Sequence, residues 1–127
     1  METEQYQFTA EEQTEIDKFC AKYGSNVEKV DINGYTLLHT AVTHWNIAVA
    51  KFLVLKGADI NAKEQSDDWT PLHAAALGKG NIEVVKFLVS QGADVNAETK
   101  DGYTPLDAAK SSKHKAMAKY LKSVGAR

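Results

Sequence analysis

The sequence predicts an all-α solenoid, a row of stacked helix-turn-helix units, and three observations support this prediction. A pentapeptide recurs every 34 residues, as Tyr35-Thr36-Leu37-Leu38-His39, Trp69-Thr70-Pro71-Leu72-His73 and Tyr103-Thr104-Pro105-Leu106-Asp107. A second motif, Gly-Ala-Asp followed by an apolar residue, Asn and Ala, occurs at 57–62 and 92–97, and Gly-Ala recurs at 125–126. The segments between the motifs have apolar residues at helical spacing. A unit this short cannot bury its apolar faces alone, so the units are predicted to stack.

The middle copy shows how one unit is predicted to fold. Thr70 precedes Pro71, and this order suits a helix start because a threonine oxygen caps free amides and proline is tolerated at the first helical position. A first helix is therefore predicted over about 71–77. A second helix is predicted over about 82–90, since Gly92 supplies the left-handed stop that commonly follows a helix.

The other copies follow the same pattern, and the chain begins with half a unit. Second helices are predicted at 47–56 and 116–123. Thr9 and Glu12 have the spacing of a capping box, which predicts a cap helix at about 9–24. The whole chain, 1–127, is interpreted as one domain, since its length is typical of a single hydrophobic core.

Equivalent positions of the second helices carry Phe52, Phe87 and Tyr120, a column that is interpreted as core. Cys20 falls in the neighbouring column of leucines, so we expect a buried structural thiol rather than a nucleophile. It is the only cysteine, so no intramolecular disulfide forms and the fold requires no oxidising compartment. A cytoplasmic location is expected.

Charge and hydropathy exclude several classes of partner. The formal net charge of −2 and the pI near 6.1 give no overall attraction to nucleic acid or to an anionic membrane. No run of about eighteen apolar residues is present, as a spanning helix would need. The two ends differ, because residues 1–15 carry glutamates without a base and residues 110–127 carry lysines and Arg127 without an acid.

The motifs Thr-Pro-Leu-His-x-Ala-Ala and Gly-Ala-Asp-Val-Asn-Ala identify a resemblance to the ankyrin-repeat family, closest over residues 65–98. The resemblance covers about residues 15–126. It implies repeats at about 31–63, 65–98 and 99–127, with β-hairpin-like loops that project from the stacked helices. It also implies that the protein binds another protein through the loop tips and the concave face of the first helices.

Three positions depart from the family pattern: Leu37 replaces a proline, Asp68 a glycine and Asp107 a histidine. Asp68 is therefore expected to adopt a left-handed backbone, at a modest cost for this residue type. The resemblance implies that His39 and His73 each tie a loop to the adjacent backbone, and that Asp107 cannot do so.

Tyr35, Trp69 and Tyr103 occupy the same place in three successive units and form what we call the aromatic ladder. The resemblance places the ladder at the foot of the projecting loops, facing the concave side, where aromatic residues are favoured interface anchors. Alternatively, each ring covers only its own helix start. Acidic residues near Trp69 predict a partner with basic residues around an apolar patch. The predicted partner-binding residues are Asn33, Tyr35, His44, Trp45, Asp67, Trp69, Leu77, Lys79, Asp101, Tyr103 and Ser111.

Two of these residues lie in the predicted turn between the two helices of a unit. Lys79 is an extra residue relative to the first copy, and Trp45 stands where glycine is usual in the family. An exposed Trp45 would be an anchor, although it could instead pack on Trp69 or on the neighbouring turn.

No catalytic motif is found: there is no Walker loop, no zinc-protease motif, no paired-cysteine motif and no nucleophile elbow. The protein is therefore expected to be a non-enzyme without cofactor or metal, monomeric on its own. His39 and His73 are interpreted as structural rather than as metal ligands. The basic last helix could meet an acidic protein, phosphoinositide or RNA, but it is interpreted as a solvated end. The alternative function is a self-assembling scaffold joined through the oppositely charged ends.

Overall fold

The computed structural model describes residues 7–44, 47–77 and 81–127. This part of the chain contains seven α-helices and no strand, with a single antiparallel bridge between Val30 and Thr36. The helices are α1 (Ala10–Tyr23), α2 (Leu37–His44), α3 (Ile47–Leu55), α4 (Pro71–Leu77), α5 (Ile82–Ser90), α6 (Pro105–Ser111) and α7 (Lys115–Ser123). Within the described ranges, none of these helices is long and apolar enough to cross a membrane.

The helices form two layers. Helices α2, α4 and α6 stack on one another as the inner layer, and α1, α3, α5 and α7 stack as the outer layer. The pairs α2–α3, α4–α5 and α6–α7 each make one unit, and α1 stands alone on α3. The predicted all-α solenoid with a preceding half unit is thus confirmed.

Local hydrogen bonds explain where the helices begin. Thr9 and Glu12 form the predicted capping box, since the Glu12 amide donates to Thr9 Oγ1 at 3.1 Å and the Thr9 amide to Glu12 Oε1 at 2.9 Å. Thr104 and Asp107 form a second box at the start of α6. Asp107, which replaces the expected histidine, thus has a local role that the sequence reasoning did not identify.

The core lies between the layers and continues through the stack. Small residues let the inner helices approach closely, and Ala76, Ala108 and Ala109 are fully buried. The aromatic column is only partly as predicted: Phe87 is buried, whereas Phe52 and Tyr120 are half-buried. A lysine side chain lies over each of these two rings. The Nζ atoms of Lys56 and Lys86 lie 5.7 Å from the ring centroids of Phe52 and Tyr120, respectively.

The prediction that Cys20 is buried is wrong, because the side chain is half-buried. Among the described helices, α1 packs chiefly on α3 and is not paired with an inner helix, whereas α3, α5 and α7, which carry the leucines of this column, each pack on an inner helix as well as on an outer one. Burial and then the Asp17 carboxylate raise the pKa of the Cys20 thiol, so the group is a thiol at neutral pH and lacks the thiolate that a nucleophile needs.

Two asparagines join successive units at the outer edge. Asn61 donates to the carbonyl of Gly92 at 3.1 Å and accepts from the Asp94 amide at 2.8 Å. Asn96 repeats both bonds one unit later, to the carbonyl of Gly125 and from the Arg127 amide. We call these the asparagine clamps. Each one satisfies backbone groups of the next unit and so fixes the spacing of neighbouring units.

Candidate functional site

The three projecting loops are each organised by one acceptor side chain at the same place. Asp31, Glu64 and Thr99 donate their amides to the carbonyls of the ladder residues, at 2.8 to 3.0 Å, and so close each loop. Their side chains then accept from amides inside the loop: Asp31 Oδ1 from Asn33 and Tyr35, and Thr99 Oγ1 from later residues of its own loop. The loops are therefore held in shape from within.

The middle loop is longer, and its acceptor side chain is longer too. Residues 64–69 span six residues, whereas 31–35 and 99–103 span five. The Glu64 carboxylate accepts from the amide and hydroxyl of Ser66 at 2.8 and 2.7 Å, from the Asp67 amide at 2.6 Å and from the Trp69 amide at 3.3 Å. The additional methylene of glutamate lets one carboxylate reach across the additional residue.

Glu64 is 0% exposed although it lies at the surface, because its own loop wraps it. Burial raises the pKa of this carboxyl, but the hydrogen bonds from Ser66, Trp69 and Asp67 outweigh burial and hold the pKa below its ordinary value. Glu64 is therefore ionised at neutral pH and stabilises the loop that carries Trp69.

Sequence reasoning missed Glu64, although the spacing contains a signal for the longer loop. Gly57 precedes Trp69 by 12 residues, whereas Gly92 precedes Tyr103 by 11. The even 34-residue spacing of the ladder hides this difference because Lys79 adds one residue elsewhere in the middle unit. Two single-residue insertions at different places thus produce the same apparent period.

His39 and His73 connect each unit to the next loop, as the resemblance implied. The Thr36 amide donates to His39 Nδ1 at 3.1 Å, so Nδ1 carries no proton and Nε2 must donate to the Trp69 carbonyl at 2.8 Å. His73 makes the equivalent bond to the Tyr103 carbonyl at 2.8 Å. Each neutral histidine thereby positions a ladder residue of the following unit.

Both histidines are buried. Burial lowers the pKa of His39 and His73, and the hydrogen bonds to the Trp69 and Tyr103 carbonyls oppose this shift only in part. Protonation of Nδ1 would break the bond from the neighbouring threonine amide, so the neutral form is the one the fold requires.

The three residues of the aromatic ladder are half-buried, and the rings of Trp69 and Tyr103 pack against each other. The ring centroids of Trp69 and Tyr103 lie 5.6 Å apart. The Trp69 indole N–H donates to Asp67 Oδ2 at 3.0 Å, and the Tyr103 hydroxyl lies 2.7 Å from Ser111 Oγ. The polar groups of Trp69 and Tyr103 are thus each bonded to another predicted site residue.

Two open grooves run between the ladder residues. The first groove has a volume of about 470 Å³, and the second about 370 Å³. The described residues that line the first groove are Tyr23, Asp31, Tyr35, His39, Thr40, Thr43, Trp69, Ala74 and Leu77. Those of the second are Asp67, Trp69, Thr99, Asp101, Gly102, Tyr103 and Asp107. Trp69 lines both grooves, which places it at the centre of the site.

The remaining predicted site residues divide into two groups. Asn33 and Asp101 are exposed at loop tips, and Leu77 is 39% exposed at the rim of the first groove. The His44 side chain, Trp45 and Lys79 lie outside the described residues.

Sequence reasoning missed Ile32, which is 97% exposed at the tip of the first loop. It lies beside a shallow depression that Asn33 and Ser66 also line. The sequence did contain a signal for it, because an apolar residue between Asp31 and Asn33 is unusual in a turn, where polar residues are favoured.

No group of three or more potential metal ligands occurs among the described residues. In the first groove, both ring nitrogens of His39 are committed to hydrogen bonds with the backbone. The described residues of the grooves can recognise a partner through apolar, hydrogen-bonding and charged groups.

Comparison with known families agrees with this architecture. The family model for ankyrin repeats in three copies matches residues 62–127, more than half of the chain, and the model for a single ankyrin repeat matches residues 33–65. The chain belongs to the ankyrin-repeat family. Ankyrin repeats are generally non-enzymatic protein–protein interaction modules, so a protein partner is the expected ligand class of this chain.

Individual relatives share the repeats over a small part of their length. The nuclear factor NF-kappa-B p105 subunit of Gallus gallus is 32% identical over 105 residues, which cover 83% of this chain and 11% of that protein. Alpha-latrotoxin-Lg1a of Latrodectus geometricus is 28% identical over 107 residues, 84% of this chain and 8% of the toxin. Rabankyrin-5 of Mus musculus is 38% identical over 53 residues, 42% of this chain and 4% of that protein.

Ankyrin repeats usually carry glycine where Asp68 stands, and the structure explains the substitution. Asp68 has a φ of 63°, in the same left-handed region as Gly34 and Gly102, which have φ values of 84° and 81°. The predicted left-handed backbone is confirmed. Aspartate tolerates this conformation better than most residues, at a modest energetic cost.

Proposed function

We propose that this chain is a non-catalytic binding module that holds a partner protein against the aromatic ladder, the loop tips and the inner helices. The observation that carries the proposal is the half-exposure of Tyr35, Trp69 and Tyr103 in three successive repeats. Large aromatic side chains that stay accessible in a row provide contact area at low rotamer entropy, which is typical of interface hot spots.

The ladder is also preorganised. The Tyr35 ring packs against His39 with centroids 5.3 Å apart, and the Trp69 ring packs against His73 at 5.2 Å. The histidines are fixed in turn by backbone hydrogen bonds. A surface held in this way loses little conformational freedom on binding, so more of the contact energy appears as affinity.

The charge of the surface favours a basic partner. Asp31 and Asp101 are exposed beside the ladder, and Asp67 is half-exposed between them. Like charges across an interface are costly, so the partner is expected to bring lysine or arginine around an apolar patch. A cytoplasmic location is part of the proposal, because the fold uses no disulfide.

Affinity capture from a eukaryotic cell lysate tests the proposal. Wild type is compared with the triple variant Tyr35→Ala, Trp69→Ala, Tyr103→Ala, after circular dichroism and melting have shown that the variant is folded. The control removes exposed apolar groups of the outer layer, in the double variant Leu55→Ala, Val124→Ala.

A protein retained by wild type and by the control, and lost by the ladder variant, is the expected result. Binding of the identified partner is then measured with Trp69→Ala, which is expected to lose about 2 kcal/mol or more of binding free energy. Equal capture by the ladder variant would contradict the proposal.

Self-assembly is the second candidate function, favoured by the charges of the two end helices. Helix α7 exposes Lys115, Lys119 and Lys122, and α1 exposes Glu11 in its first turn. Sedimentation at low and high salt separates the candidates, because an assembly joined by exposed charges has a mass above the monomer that falls as salt screens it. A monomer at both salt concentrations would contradict self-assembly.

A further inference from the structure

We propose that the two grooves receive two arginine side chains of one extended partner segment, spaced as Arg-x-x-Arg. This inference rests on the proposed function and specifies the chemistry of the partner. The structure supports it through the shape of the grooves, their spacing and their carboxylates, which form no ion pair within the described residues.

The first groove combines aromatic walls with an available carboxylate oxygen. Tyr23, Tyr35 and Trp69 line it together with Asp31. Asp31 Oδ1 accepts from the amides of Asn33 and Tyr35, whereas Oδ2 makes no hydrogen bond within the described residues. The groove thus offers rings for stacking and one free anionic acceptor at its edge.

The second groove repeats this combination one unit later. Trp69 and Tyr103 line it with three carboxylates, those of Asp67, Asp101 and Asp107. Asp67 and Asp107 each use one oxygen, for the Trp69 indole N–H and the Thr104 amide. The Asp101 carboxylate makes no hydrogen bond in the described part of the chain. Carboxylate oxygens that could accept from a cationic group are therefore available beside the rings of Trp69 and Tyr103.

Within the described residues, the carboxylates that line the grooves form no ion pair, and the Lys22 ammonium lies over the Tyr23 ring, 5.3 Å from its centroid. None of the described residues that line either groove is a lysine or an arginine. Burial and then the carboxylates of Glu64, Asp31 and Asp67 raise the pKa of Tyr35, in keeping with the three acidic side chains near this ring. A cation entering the groove would offset their negative charge.

Arginine fits these features better than lysine does. Its planar guanidinium stacks on aromatic rings while its fork of donors reaches a carboxylate, and it is more weakly hydrated than an ammonium group. Hydrogen bonds of this charge-assisted kind are stronger than neutral ones.

The spacing of the grooves sets the spacing of the arginines. The grooves share Trp69, and each lies beside one step of the inner layer of helices. Packed helices lie about 8–10 Å apart. A partner segment in the polyproline II conformation advances about 3.1 Å per residue with three residues per turn, so three residues cover about 9 Å and residues i and i+3 share one face. Such a segment therefore brings residues i and i+3 to successive grooves.

Titration of the ¹⁵N-labelled chain with synthetic peptides tests the inference. The probe is a capped Gly-Arg-Ala-Ala-Arg-Gly peptide, followed by amide and indole shifts of Tyr35, Trp69 and Tyr103. Comparison peptides replace both arginines with citrulline, which is neutral and of the same shape, or with lysine. Others carry a single arginine, or two arginines separated by one or by four alanines.

We expect the Arg-x-x-Arg peptide to shift residues of both grooves and the citrulline peptide to bind at least about tenfold more weakly. Asp31→Asn retains the Oδ1 acceptor that shapes its loop, and Asp101→Asn disturbs no bond. Each is expected to weaken binding about threefold to tenfold. The control Asp17→Asn removes a carboxylate of α1 that lines neither groove, and it is expected to change affinity less than about twofold.

Several results would overturn the inference: no shift at millimolar peptide, equal binding of the citrulline peptide, or an equal loss in Asp17→Asn. Equal binding of the lysine peptide would overturn the choice of arginine. A single-arginine peptide or another spacing that binds as tightly would overturn the paired grooves. If the peptides fail while the ladder variant still loses its captured partner, the proposed function stands and this inference alone fails.

Discussion

Replacement of Glu64 tests whether the middle loop is built around one carboxylate. In the structure this group accepts from the amides of Ser66, Asp67 and Trp69 and from the Ser66 hydroxyl. Glu64→Ala removes all four bonds. Glu64→Gln keeps one acceptor oxygen but directs an amide group toward donors. Glu64→Asp keeps the charge, but its side chain is one methylene too short to reach across the six-residue loop.

The expected loss follows from these bonds. A hydrogen bond to a charged group contributes about 1.5–3 kcal/mol, but the loop lies at the surface, where water can replace part of what is lost. Glu64→Ala is therefore expected to reduce the free energy of unfolding by about 2–3 kcal/mol. Glu64→Gln and Glu64→Asp should each lose about 1–2 kcal/mol. Asp31→Asn, which retains the acceptor of a shorter loop, is the matched control with a smaller loss.

Urea unfolding followed by circular dichroism measures these losses, and pH provides an independent test. The pKa of Glu64 is lower in the folded state than its ordinary value of 4.5. The ionised carboxylate therefore stabilises the fold fully above about pH 4.5, and this contribution is lost as the pH falls through the folded-state pKa. The difference in stability between wild type and Glu64→Gln should shrink below pH 4.5.

A loss below about 0.5 kcal/mol in Glu64→Ala would refute the reasoning, since this is the range of an ordinary surface substitution. A difference between wild type and Glu64→Gln that stays constant from pH 7 to pH 3 would refute the electrostatic part of it.

Three further predictions concern the histidines and the loop backbone. Burial lowers the pKa of His39 and His73. The neutral histidines therefore contribute their full stabilisation above about pH 6.5, and the free energy of unfolding should fall as the pH drops toward 5, by up to about 1.4 kcal/mol per pH unit for each histidine. In urea titrations, a variant with both histidines replaced by glutamine should lose this dependence on pH. Asp68→Gly should raise the melting temperature, because glycine adopts the left-handed conformation without the cost of about 1 kcal/mol that a residue with a Cβ atom has. An unchanged or lower melting temperature would show that Asp68 is not strained. A Cβ atom at Gly34 would lie 2.5 Å from a Cβ of the next loop, whereas one at Gly102 would have only the end of a glutamate at 3.8 Å. Gly34→Ala should therefore destabilise the fold by clearly more than Gly102→Ala, and equal losses in calorimetry would show that the loops can separate.

The helices could be predicted from the sequence because their signals are local. The predicted bounds 71–77 and 82–90 agree with α4 and α5, where proline, threonine and glycine mark the ends. Predictions for α3 and α7 differ from the structure by one residue. Helical periodicity and capping chemistry depend on neighbours in the chain, so they are readable without the tertiary structure.

The details of the site depended on which segments meet. The sequence identified the ladder, but it did not reveal that Trp69 lines two grooves or that Glu64 organises its loop. Half-burial of Cys20 likewise arises from its place in α1, which among the described helices is not paired with an inner helix. Position in the stack, rather than the local motif, decides exposure at such places. Which of the predicted residues contact a partner is still a prediction.

The asparagine clamps have a consequence for the order in which the stack opens. Glu28 follows Gly24 by four residues, the place that Asn61 holds after Gly57, so the junction between α1 and the first repeat lacks this clamp. In repeat arrays, where stability is a sum of nearest-neighbour interfaces, local unfolding begins at the weakest junction. Amides of α1 should therefore exchange with solvent before those of α5. Since Tyr23 of α1 lines the first groove, each such opening removes one wall of that groove while the second groove stays intact.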